Sequence, residues 1–397
     1  MRKTIAFFDE PTDFSLVQGG PLFQLFLRTR LLRPPTDLLA RRIVVISLVA
    51  WMPLLLLSVL SGHAVGGLGV PFLYDLGAHV RFFLCVPLLL AADQIVHRRI
   101  KPTVRQFLDR GLVASEDQPR FESIIASAMR LRNSALAEVL LLAFAIVGGY
   151  WAGKRYLVMQ VATWFAASIG DQTQVTAAGY WYLFVSMTIF RFLLVRWYFR
   201  LFVWYRFLWQ VSRRIPLRLN SLHPDRAGGL AFLSGSMFAF VPVLLAHTIG
   251  LAGILGGKIW HDGATLPQFK LEIAAWMVFL LLLVLAPLFF FVTQLADAKR
   301  TGLREYGIVA SRYVADFRRK WIEGHAAKDE MLVGTADIQS LADLSNSFEV
   351  VREMRLAPFG KMAVLRLALL IAMPLAPLLL TMIPLEQLID RAVGLFF

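Results

Sequence analysis

The chain has 397 residues, 57% of them hydrophobic and only 17% charged, with a net charge of +14. A soluble domain carries roughly 45–50% apolar and about 25% charged residues, so a mainly soluble fold is excluded. The one cysteine, Cys85, excludes an intramolecular disulfide and any multi-cysteine metal or redox motif.

Near the N-terminus, Asp9, Glu10, Pro11 and Asp13 stand where a signal peptide would need an apolar stretch, so the first hydrophobic run is expected to be retained. Before it, Leu22-Phe23 and Leu25-Phe26-Leu27, followed by Arg28, Arg30 and Arg33, predict a short interfacial helix on anionic lipid. Asp37 is expected to start the first span.

A bilayer core about 30 Å thick needs roughly 20 mainly apolar residues as helix. Segments 43–60, 77–96, 135–153, 180–204, 230–256, 272–297 and 362–383 meet or approach this. The expected fold is therefore all-α, a polytopic transmembrane helical bundle of about seven spans. If 362–383 bends back at Pro374 and Pro377, six spans remain and the C-terminus changes side. Residues 101–132 read as a basic connector broken around Ser115–Pro119, and 156–169 as an apolar segment too short to span, expected to be an interfacial or re-entrant helix.

Between the last two spans, Leu303, Tyr306, Ala310, Tyr313, Phe317 and Trp321 recur at spacings of three and four. A second stripe follows at Ile338, Leu341, Leu344, Phe348, Val351 and Met354. These predict an antiparallel helical hairpin whose surface serves simple packing or binds a partner. The expected division is 1–42, an N-terminal segment with the interfacial helix; 43–297, a six-span bundle; 298–361, a cytoplasmic helical hairpin; and 362–397, the last span and tail.

Charge gives the orientation. With the N-terminus in the cytoplasm, the pieces on that side hold 31 of the 41 Lys and Arg residues, and the opposite pieces hold 5. This is a positive-inside distribution, so the basic balance is expected to meet anionic headgroups and not nucleic acid.

Charges inside spans are costly and tend to be paired or functional. The candidates are Asp93, Glu138, Arg191, Arg196, Arg200, Asp297 and Arg366. Snorkelling to the inner interface accounts for Arg196, Arg200, Asp297 and Arg366. Arg191 lies deeper and is expected to pair with Glu138 or Asp93. The arginine spacing does not make the every-third-residue ladder of a voltage sensor. The histidines are scattered without zinc-ligand spacing, and His79 is expected to pair with Asp75 one turn away. His247, inside the fifth span, reads as a hydrogen-bonded packing residue.

The most distinctive string is His223-Pro224-Asp225-Arg226-Ala227-Gly228-Gly229, ahead of the fifth span. Pro224 restricts its neighbour, Asp225 suits a helix start, and Gly228 and Gly229 permit a tight turn. The string serves either as a structural entry turn or as a ligand, ion or gating site, with helix-start N–H groups and Arg226 holding an anion. His-Pro-Asp also occurs in the J-domain of co-chaperones, but there it separates two soluble helices, and here a membrane run follows.

No phosphate-binding loop, dinucleotide fingerprint or nucleophile elbow occurs, so no catalytic residue, metal or cofactor is assigned. The stretch from His223 to Leu230, with Gly334-Thr335-Ala336-Asp337-Ile338-Gln339-Ser340-Leu341 and Phe348-Glu349-Val350-Val351-Arg352, resembles uncharacterised bacterial multi-pass membrane proteins. The resemblance covers roughly the second half of the chain. It implies a bacterial inner membrane and carries over no activity and no functional residue.

Two function classes remain. One is a non-enzymatic membrane scaffold, sensor or complex subunit using 298–361 for a protein partner or a second copy. The other is a channel or secondary transporter using the intramembrane charges and proline-interrupted spans. A lipid-directed enzyme has no motif behind it.

Overall fold

The computed structural model describes residues 14–31, 38–66, 69–158, 163–169, 172–327, 330–332 and 334–382. Helix occupies 79% of the chain, which makes the protein an all-α bundle. In chain order the helices are α1 (Pro21–Arg28), α2 (Leu39–Leu60), α3 (Leu76–Asp109), α4 (Gln118–Arg132), α5 (Ala135–Val158), α6 (Ala177–Arg214), α7 (Ser234–Ala239), α8 (Val241–Asp262), α9 (Leu266–Ile322), α10 (Ala336–Arg352) and α11 (Lys361–Met382). Six of them, α2, α3, α6, α8, α9 and α11, are long and apolar enough to cross a membrane. The pair α4–α5, bent by 43°, brings the number to seven if taken as one span.

The spans keep helical hydrogen bonding through their breaks, as a chain without water must. Pro87 has no N–H to give its preceding turn, and a π turn at Arg81–Cys85 stands just before it. Pro287 falls in a 3-10 stretch over Ala286–Phe291, and Pro374 in another over Met373–Leu375. A second π turn, Tyr182–Ser186, interrupts α6 beside the first. The Arg81 guanidinium joins the two turns by donating to the Tyr182 hydroxyl at 2.8 Å.

Helix α6 is central, packing on α2, α3, α4, α5 and α9. Its buried Trp197, Trp204, Phe207 and Leu208 join Phe14, Phe107, Phe121 and Phe291 in one core. The outward faces of α2 and α5 carry Leu56, Leu60, Leu136 and Phe144, all exposed, as a lipid-facing surface requires.

Three expectations change. The described residues of 156–169 do not make a separate interfacial or re-entrant helix: α5 runs on to Val158, and strands β1 (Ala166–Ile169) and β2 (Gln172–Val175) pair antiparallel, with Ile169 opposite Gln172. The fifth span begins at Val241, because α7 is a separate turn ended at Phe240 and Pro242 opens α8. The first span starts at Leu39 with Leu38 at its cap. Arg33, Asp37 and 383–397, with the side of the C-terminus, lie outside the described residues.

The hairpin forms as its two stripes predict. The start of α9 beyond the span meets the end of α10, where Lys299 Nζ donates to the Met354 carbonyl at 2.8 Å. The far end meets the start of α10, where the Tyr313 hydroxyl donates to the Asp337 carbonyl at 3.0 Å. The helices therefore run antiparallel. Gly302 lets α9 lie against both segment 216–221 and α10, since a Cβ there would strike Ser221 and lie 3.0 Å from Val351.

Candidate functional site

Four of the seven intramembrane charges, Asp93, Glu138, Arg196 and Arg200, are paired with one another inside the bundle. Asp93 stands on α3, one helical turn past Leu89, whose carbonyl accepts the Trp197 indole N–H at 2.9 Å. Its carboxylate takes Arg200 Nη1 at 2.5 Å and lies 3.7 Å from Arg42 Nη2. Arg42 also donates to the Leu90 carbonyl at 3.2 Å and stacks on Phe26 of α1. Glu138, in the first turn of α5, accepts Arg196 Nε at 3.2 Å on Oε1 and the Leu22 N–H at 2.7 Å on Oε2. Asp93, Glu138, Arg42, Arg196 and Arg200 are all under 8% exposed, so Arg196 and Arg200 do not snorkel.

The expected partner changes as a result. Glu138 and Asp93 receive Arg196, Arg200 and Arg42, and Arg191 stands half-buried against Gly149 of α5. Arg196 and Arg200 occupy one face of α6, whereas Arg191 is turned well away from them. Asp297 is exposed and pairs with Arg300, and Arg366 is exposed on α11.

The N-terminal segment completes this cluster, which sequence reading missed. Phe14, Ser15 and Leu16 are fully buried. Arg132 Nη1 donates to the Ser15 carbonyl at 2.5 Å. Ser15 Oγ accepts the Val17 and Gln18 N–H groups, so its own proton is left to meet His97 Nδ1 at 2.9 Å. Arg42 and Arg132 lie at the margins of apolar runs, where basic residues are ordinary topology signals, so nothing local singled them out.

At the opposite end, His79 and Asp75 do not pair. Asp75 accepts the Ala78 N–H and the Trp164 indole N–H, both at 2.9 Å. His79 Nδ1 accepts the Trp51 indole N–H at 3.0 Å, which leaves its Nε2–H for the Leu73 carbonyl at 3.2 Å. His247 is likewise occupied on both ring nitrogens, by the Val243 carbonyl at 2.7 Å and the Tyr198 hydroxyl at 2.6 Å. Among the described residues, no three His, Cys, Asp or Glu side chains converge as metal ligands would.

The His223–Gly229 string folds around its own carboxylate. Asp225 Oδ1 accepts the N–H groups of Ala227 at 2.8 Å and Gly229 at 3.1 Å, and Oδ2 accepts that of Ala231 at 3.1 Å. His223 Nδ1 lies 3.0 Å from the carboxylate and 3.2 Å from the Asp225 N–H, and serves one or the other according to its protonation. Burial pushes the Asp225 carboxyl up, but the three N–H groups and His223 outweigh it and hold the carboxyl below its ordinary range. The N–H groups that an external anion would need are thus taken by the chain itself.

The loop then ties distant parts together. Arg226 adopts the left-handed conformation, φ 53°, a strain of about 1–2 kcal/mol for a residue with a Cβ. Its guanidinium pairs with Glu353 at 2.7 Å, and its carbonyl accepts the Arg355 N–H at 2.7 Å. Gly228 and Gly229 also have positive φ, and Arg110 of the α3–α4 link donates to the Gly229 carbonyl at 3.3 Å. No protein-family model, curated protein or solved structure matches the chain.

Proposed function

We propose that the protein is a non-enzymatic scaffold or complex subunit of the bacterial inner membrane, with its N-terminus in the cytoplasm, that presents the α9–α10 hairpin to a protein partner. The observation that carries this reading is the length of α9. Its 57 residues rise about 85 Å at about 1.5 Å per residue, against a hydrocarbon core of about 30 Å. The surplus turns project into the compartment of the basic loops. Outside the hairpin's own seam they expose Ile308, Val309, Val314 and Ile322, and α10 adds Ile338. Apolar side chains clear of both core and lipid favour a protein contact. Transport ranks second, because four of the charges it would use, Asp93, Glu138, Arg196 and Arg200, are engaged with one another or with Arg42.

The test is site-directed cross-linking in native membranes. Cys85 is buried, so cysteines introduced at Ile308 or Val309 are the reactive ones. A discrete cross-linked species is expected from a cysteine at Ile308, lost when Val314→Asp and Ile322→Asp are added while the bundle's thermal midpoint holds. Absence of any such species, together with ion flux in proteoliposomes that Arg191→Ala abolishes, would replace this reading by transport.

A further inference from the structure

The two helices of the hairpin present unlike outer faces. On α9, opposite the seam with α10, Arg304, Ile308, Arg312 and Ala315 are exposed within an arc of about 80°, at about 100° per residue. Among the described residues, neither Arg304 nor Arg312 has an ion-pair or hydrogen-bond partner. On α10 the face turned away from the seam carries Ala342, Asp343, Asn346 and Glu349. We propose that these two faces meet between neighbouring copies of the chain, α9 of one copy against α10 of the next. The proposal rests on the hairpin being a partner surface and names the partner as a second copy.

The hairpin's own register sets the heights. Lys299 donates to the Met354 carbonyl, a Cβ at Gly302 would lie 3.0 Å from Val351, and one at Gly307 would lie 3.8 Å from Phe348. Carried along both helices, this register puts Asn346 level with Ile308, Asp343 with Arg312 and Glu349 with Arg304, to within about half a turn. Copies inserted in one membrane share orientation and depth. A neighbour's α10 therefore stands at the same heights and runs antiparallel to α9.

The sides agree as well. Arg304 and Arg312 flank the line of Ile308 on opposite sides, and Glu349 and Asp343 flank that of Asn346. With the helices antiparallel and face to face, Arg312 falls on the side of Asp343 and Arg304 on the side of Glu349. Asp343 accepts the Gln339 amide of its own helix at 2.9 Å, and Glu349 pairs with Arg352 at 2.8 Å. A carboxylate offers about four acceptor sites, so each has room for an incoming guanidinium. Two identical α9 faces would instead set arginine against arginine, so the contact pairs unlike faces. Contacts of this kind extend from copy to copy, as a ring or an open row.

The experiment co-expresses two tagged copies, one carrying Ile308→Cys and the other Asn346→Cys, and oxidises the native membranes. Cys85 is buried, so a disulfide carrying both tags is expected from the pair and none from either copy alone. Arg304→Glu with Arg312→Glu on the first copy should lower its yield about tenfold or more, because like charges then meet. Asp343→Arg with Glu349→Arg on the second copy should restore it. No disulfide between the two copies, an unchanged yield after the arginine substitutions, or no recovery after the reciprocal ones overturns the inference. A disulfide formed by the Ile308→Cys copy alone also overturns it. If Ile308→Cys joins a different protein and the two copies form no disulfide, this inference falls while the hairpin remains a partner surface.

Discussion

Arg196 Nε donates to Glu138 Oε1 at 3.2 Å across the α5–α6 contact, and both side chains are buried. Removing one member of a buried pair leaves an uncompensated charge and costs on the order of 3–5 kcal/mol. Glu138→Gln should therefore lower the unfolding midpoint of the nanodisc-embedded protein sharply. Glu138→Arg combined with Arg196→Glu should recover part of the loss. Glu138→Arg combined with Arg191→Glu should recover none, and recovery there would mean that Arg191 is the working partner.

The Asp225 knot gives a pH dependence with a definite sign. Its folded pKa is below the ordinary 3.8. Its contribution is fully present above that value and is lost as the pH falls through the lower folded one. Hydrogen exchange of the Ala227, Gly229 and Ala231 amides should accelerate only in strong acid. Asp225→Ala should produce the same acceleration at neutral pH, at a cost of about 2 kcal/mol. Unchanged protection of those amides in the variant would disprove the knot.

Gly302 and Ser221 form a steric pair. Gly302→Ala should push α9 away from segment 216–221 and loosen α10, because the new Cβ meets both Ser221 and Val351. Overpacking of this kind costs typically about 1–3 kcal/mol. Ser221→Gly removes the atoms struck first, so Gly302→Ala with Ser221→Gly should be more stable than Gly302→Ala alone. Additive losses in a double-mutant cycle would show that the two do not touch.

The far end of the hairpin is closed by Asp337, which accepts the Trp321 indole N–H at 2.9 Å and Lys320 at 3.0 Å. The hydrogen bonds from Lys320 and Trp321 hold the Asp337 carboxyl below its ordinary range, so the clasp is complete at neutral pH and opens in acid. Asp337→Ala should make the 323–335 connection more sensitive to protease while the unfolding midpoint of the spans stays put. Equal cleavage of variant and wild type would rule the clasp out.

Orientation is testable with single cysteines in the same buried-Cys85 background. A cysteine at Gly263, between α8 and α9, should react with an impermeant maleimide in intact cells. A cysteine at Gly324, beyond α9, should react only after permeabilisation, and the reverse pattern would invert the topology.

Composition and periodicity alone settle the class, the approximate number of spans and the hairpin. A membrane helix must be a long apolar run, and a hairpin seam must repeat at three and four residues; both are local patterns. Leu303 through Trp321 are half-buried in turn, as their spacing predicts, although Ile338 at the start of the second stripe stays exposed. The intramembrane carboxylates were also legible as costly groups that need partners.

Which partners they take was decided by tertiary structure. Arg191 and Arg196 belong to one helix and carry the same charge. Only the rotation of α6 against α3 and α5 sends Arg196 and Arg200 to the carboxylates and leaves Arg191 beside Gly149. The burial of Phe14–Leu16 under α6, the tie of Arg226 to Glu353 and Arg355, and the cleft between segment 216–221 and α9 have the same origin. Each depends on contacts between residues far apart in sequence, and hydrophobic periodicity, which reports one element at a time, carries no record of them.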